Sequence, residues 1–144
     1  MPPNIFIALA EEVGLISTIG ARILKRACAE ATNWPPDTTV AVNLSAAQFQ
    51  GGDLVAVVKD ALDASGLAPH RLEVEITESI FLQGSDSNLA ILGQLGAFGV
   101  KISMDDFGTG YSSLSYLRSF PFHKIKIDRS FVRDLPEGES SVAI

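Results

Sequence analysis

Met104-Asp105-Asp106-Phe107-Gly108-Thr109-Gly110-Tyr111-Ser112-Ser113-Leu114 is the stretch on which the fold of this chain turns. It follows Val100-Lys101-Ile102-Ser103-Met104, which reads as a strand. Two adjacent carboxylates therefore stand where a strand ends and a loop with two glycines begins. Adjacent Asp side chains repel unless a cation lies between them or one keeps its proton. In barrels and open α/β sheets, that end of a strand is where sites form. A surface Asp pair capping a turn would explain the same residues.

Outward from this segment, helical and strand patterns alternate. Apolar spacing predicts helices over 5–13 and 16–34, the first broken by Gly14 and the second ended by Pro35-Pro36. A strand over 39–44 follows, then a helix over 53–65 closed by Gly66, and a strand over 72–77. Next come a helix over 88–98 closed by Gly99, the strand 100–106, a helix over 112–120 ended by Pro121, and a strand over 125–128. Such alternation implies βα units and a parallel sheet.

Strand parity carries the functional argument. Val40, Val42 and Leu44 share one face and Ala41, Asn43 and Ser45 the other. Leu72, Val74 and Ile76 oppose Glu73, Glu75 and Thr77; Ile102 and Met104 oppose Lys101, Ser103 and Asp105; Ile125 and Ile127 oppose Lys124, Lys126 and Asp128. If the apolar faces meet the helices, Asn43, Glu75, Asp105 and Lys126 enter one concave interior. Buried carboxylates need cations, and oxygen ligands of this kind suit Mg²⁺ or Mn²⁺. The rival reading is an antiparallel-like sheet whose polar faces meet water.

Composition agrees with a globular domain: 144 residues, 47% hydrophobic and 19% charged. A net charge of -6 argues against duplex nucleic acid as a partner, while a small phosphate ligand stays compatible through a metal. The single cysteine, Cys28, cannot form an internal disulfide; it suits a helix core and a reducing cytoplasm. No signal peptide and no membrane-spanning run of ~18 apolar residues is present in this sequence.

Four ordered motifs resemble one family. Asp105-Asp106-Phe107-Gly108-Thr109-Gly110-Tyr111-Ser112-Ser113-Leu114 is similar to the DDFGTGYSSL signature of the EAL domain, the bacterial cyclic-di-GMP phosphodiesterases. Val42-Asn43-Leu44-Ser45 resembles its VNLS strand, Glu75-Ile76-Thr77-Glu78-Ser79 its EITES segment, and the stretch from Ile125 to Val132 its IKIDRSFV segment. Leu9-Ala10-Glu11-Glu12-Val13-Gly14-Leu15-Ile16 resembles its LAEExGLI helix.

The resemblance implies a TIM-like (β/α) barrel that hydrolyses cyclic-di-GMP to linear pGpG with Mg²⁺ or Mn²⁺. By motif position Asn43, Glu75, Asp105 and Asp106 are expected as metal ligands and Lys126 as the contact to the attacking water. Glu78 is expected to hold the loop carrying Phe107 to Ser113. Bland rivals are a turn-capping Glu78 and a Lys126 ion pair with Asp128 or Glu75. Glu73, Lys101 and Lys124 are expected as packed ion pairs deeper down or at the opposite mouth. Phe107 and Tyr111 are expected in loop packing, and His70 and His123 on the surface. His123 stands where the family often has Asp, at a position expected to be structural.

The segment naming the family, with its metal-ligating Glu, and a later EGVE segment are not found within residues 1–144. The expectation is a single partial EAL domain of about four parallel βα units, lacking the N-terminal motif strand and the C-terminal units, and weakly active or inactive. The runner-up is a degenerate EAL module that binds cyclic-di-GMP or a protein partner without catalysis. A homodimer, and an upstream sensory or GGDEF-type (diguanylate cyclase) domain in a parent protein, complete the expected partners.

Overall fold

A computed structural model describes residues 2–108 and 120–130. Helices α1 (Pro3–Glu12) and α2 (Ile16–Ala31) precede strand β1 (Val40–Asn43). Helices α3 (Ala46–Gln50) and α4 (Leu54–Ser65) lead through a 3₁₀ turn (Pro69–Arg71) into β2 (Leu72–Thr77). Helix α5 (Ser79–Ala97) returns the chain to β3 (Lys101–Phe107), and β4 (Lys124–Ile127) follows. Local chemistry sets these limits. The Asp53 carboxylate accepts from Ala56 N (3.0 Å) to start α4, and Gly66, at φ +72°, ends it.

The four strands are parallel, in the order β1-β2-β3-β4. Register aligns Val42 with Val74, Val74 with Ile102, and Met104 with Ile125. The apolar rows of β1 to β3 pack beneath Leu24 and Cys28 of α2, Val58 and Ala61 of α4, and Leu92 and Leu95 of α5. Each fully buried aliphatic side chain stabilises by roughly 1.5–3 kcal/mol, so this face fixes the register. The expected parallel βα architecture is therefore present, and the antiparallel-like rival is excluded.

Two expectations change. Helix α5 begins at Ser79, not at residue 88. Asn88 is buried inside it and donates from Nδ2 to the Ile80 carbonyl (2.8 Å). The small and polar stretch 83–88 lacks the apolar spacing that identifies a helix in sequence. Second, the apolar face of β4 is not covered as those of β1 to β3 are: Ile125 and Ile127 stay 40% and 58% exposed. His123 is exposed and structural, both as expected: its Nδ1 accepts from Ile102 N (3.1 Å) while its own N–H donates to Ile102 O (2.9 Å). The helix expected over 112–120 lies outside the described residues but for Phe120, which is buried. Among the described residues, no helix is long and apolar enough to cross a membrane.

Candidate active site

The polar face of the sheet forms an open cleft of about 460 Å³, lined by Thr39, Glu73, Glu75, Lys101, Lys124 and Lys126 among others. Two ion-pair rungs cross it from β2 to β4, passing over β3. In the lower rung, Lys124 Nζ donates to both oxygens of Glu73 (2.9 and 3.1 Å) and the Ser103 hydroxyl donates to Glu73 Oε1 (2.7 Å). Burial disfavours the Glu73 carboxylate, but the Lys124 and Ser103 hydrogen bonds outweigh it and hold the carboxyl below its usual range. Glu73 and Lys124 are thus the packed pair expected from sequence, and Lys101 stands opposite Glu73 at the N-terminal mouth.

In the upper rung, the Lys126 ammonium donates to Glu75, which is buried on β2. The same ammonium lies 4.0 Å from Asp105 Oδ2 on β3. The Glu75 hydrogen bond holds Lys126 above its usual lysine value against the opposing effect of burial. Of the two bland partners considered for Lys126, the structure selects Glu75; Asp128 instead accepts from Ser130 N (2.8 Å).

At the C-terminal end of the strands, Asn43 is exposed and pairs in register with Glu75, and Asp105 pairs with Thr77. Between the pairs Met104–Ile125 and Phe107–Ile127, two residues of β3, Asp105 and Asp106, oppose one of β4, Lys126. This one-residue bulge falls on Asp105 and Asp106. Asp106 has φ +53°, a left-handed conformation that Asp tolerates better than most residues, and its N–H donates to Asp105 Oδ1 (3.0 Å). Burial, then the charges of Asp105 and Asp128, push the Asp106 carboxyl above its usual value. The rim therefore concentrates negative charge.

Asp128, placed by parity on the Lys126 face, adds negative charge beside Asp106. Glu78 is buried at the start of α5, directly after β2. Thr109 to Ser113, which it was expected to hold, lie outside the described residues, as does Tyr111. Phe107 is half-buried against the core.

The donor set fits a hard divalent cation: carboxylate and amide oxygens without sulfur. Among the described residues no three His, Cys, Asp or Glu side chains form a preformed metal cage. The Lys126 ammonium lies between Glu75 and Asp105.

The family model described as EAL domain matches residues 1–144. This chain belongs to the EAL domain family. It is 46% identical to the bifunctional diguanylate cyclase/cyclic di-GMP phosphodiesterase MucR of Pseudomonas aeruginosa over 99% of this chain and 21% of MucR. A solved structure of PaMucR phosphodiesterase in its c-di-GMP complex superposes with TM-score 0.91 at 46% identity, over 99% of this chain and 64% of that one. The manganese/cy-diGMP complex of Klebsiella pneumoniae BlrP1 matches with TM-score 0.76 at 32% identity, over 87% of this chain and 32% of that one. The EAL chain spans about a fifth of the length of the curated relatives it matches. Its fold is accordingly a part of the EAL (β/α) barrel.

Proposed function

We propose that this EAL domain hydrolyses cyclic-di-GMP to linear pGpG with Mg²⁺ or Mn²⁺. The observation that carries the reading is the convergence of Glu75, Asp105 and Lys126 at one end of the polar sheet face. Asn43, Glu75, Asp105 and Asp106 supply the metal-binding oxygens. When bound, divalent ions lower the pKa of a water and neutralise phosphate charge. Lys126 orients the attacking water and stabilises charge developing on the phosphate. The water oxygen bonds to phosphorus, the bond to the ribose 3′ oxygen breaks, and that oxygen takes up a proton. Glu78 braces the loop behind the Asp pair. A chain of net charge -6 repels a phosphate ligand unless cations are present, which accords with a metal-dependent site.

A complete (β/α)₈ barrel has eight strands and four are described, so slow turnover is expected of these residues alone. The bifunctional name of MucR supports a parent protein carrying a GGDEF-type or sensory domain. On the same reading the domain acts in the cytoplasm, singly or as a homodimer. The test is chromatography of products from cyclic-di-GMP, Mn²⁺ and the 144-residue chain. Slow Mn²⁺-dependent pGpG formation that disappears in Asp105→Asn is expected. Absence of product, or product undiminished by the substitution, overturns the proposal.

A further inference from the structure

We propose that Lys126 is a displaceable internal counter-ion: it occupies Glu75 until a divalent cation takes its place, and the exchange frees the ammonium to face the reacting water. The inference rests on the metal-dependent reading above and concerns how the site is assembled.

The Glu75 side chain is 8% exposed, and a buried carboxylate requires compensation in every state of the protein. Lys126 provides it, and the same ammonium lies 4.0 Å from Asp105, so it stands between two of the expected ligands. A cation coordinating Glu75 and the Lys126 ammonium on the same carboxylate carry like charge and repel each other. Exchange keeps Glu75 compensated throughout.

The geometry permits the movement. The Lys126 side chain is 38% exposed and sits on β4, so its flexible stem can swing toward the rim without unpacking the core. The rung below stays in place: Lys124 grips both oxygens of Glu73, which also accepts from Ser103. The sheet therefore keeps its register while the upper lysine moves.

The test is a Mn²⁺ titration of the 144-residue chain, followed by electron paramagnetic resonance, for the parent, Lys126→Met and Lys124→Met. Lys126→Met should bind Mn²⁺ at least about tenfold more tightly, since a competing cation has gone. Lys124→Met, which removes the same charge one rung lower, should change the affinity less than about threefold. Saturating Mn²⁺ should raise the melting temperature of Lys126→Met more than that of the parent. In the parent protein, saturating Mg²⁺ should move the Lys126 Cε–Hε nuclear magnetic resonance signal to the position of solvated lysines; this needs no variant to fold. Equal or weaker Mn²⁺ binding by folded Lys126→Met, or a Lys126 signal unmoved by Mg²⁺, overturns the counter-ion exchange alone. Absence of Mn²⁺ binding in parent and variant alike overturns the metal reading itself and this inference with it.

Discussion

Lys124 of β4 grips Glu73 of β2 through two hydrogen bonds of 2.9 and 3.1 Å, spanning the strand between them. The pair fastens the N-terminal half of the polar face and leaves the C-terminal half to Glu75, Lys126 and the Asp pair. Glu73→Gln should destabilise the fold by ~1–2 kcal/mol at neutral pH, because Lys124 loses a charged partner but is itself half-exposed. The Glu73 carboxyl titrates below its usual value in the folded protein. Its contribution is therefore fully present above the ordinary glutamate pKa of about 4.3 and is lost as pH falls through the lower folded value. Urea unfolding of parent and variant should diverge at neutral pH and converge in acid.

Arg71 ties the end of α2 to the strands. Its Nη2 donates to the carbonyls of Ala31 (2.8 Å), Pro35 (3.0 Å) and Trp34 (3.4 Å), and its Nε to Thr38 O (3.0 Å). Arg71→Ala should cost about 2 kcal/mol by denaturant unfolding. Arg71→Lys should restore little, since one ammonium cannot reproduce a planar fork of donors.

Gly20 is required by close approach. A Cβ there would lie 2.1 Å from Gln48 Nε2 and 2.8 Å from its Cδ. Gln48 is buried and cannot simply swing away, because its Oε1 accepts from Ser45 N (3.0 Å) at the start of α3. Gly20→Ala should lower stability by roughly 1–3 kcal/mol. Combined with Gln48→Ala, the two losses should sum to less than their separate values in a thermal-unfolding cycle.

Asp106 holds its positive φ at the bulge. Asp106→Gly should leave unfolding stability unchanged or slightly raised while removing a metal-binding oxygen. Asp106→Val should lower stability by about 1–2 kcal/mol, since a β-branched residue resists the left-handed region.

Cys28 is fully buried, and burial pushes its thiol above the usual value. It should be unreactive toward a disulfide reagent in the folded protein and should react stoichiometrically in concentrated urea.

Much of this was legible in the sequence because period-2 alternation survives in each strand: Leu72 to Thr77 reads as a strand with the same limits in sequence and structure. The same parity brought Asn43, Glu75, Asp105 and Lys126 to one face. Helix α3 escaped because five residues hold too little periodicity, although Ser45 and Gln48 form a readable capping box. The bulge could not be read, because it depends on how β3 aligns with a strand some twenty residues away. Nor could the hydrogen bond of His123, whose ring substitutes for a backbone acceptor toward Ile102.

Divalent cations are expected to bind at the C-terminal rim of the polar face, although the cleft on that face extends toward Thr39, Lys101 and His123 at the opposite mouth. Paramagnetic broadening of assigned backbone amides by substoichiometric Mn²⁺ measures this directly. Signals of Asn43, Glu75, Asp105, Asp106 and Lys126 should broaden first. Broadening centred on Thr39, Lys101 and His123, with the rim unaffected, would contradict the account.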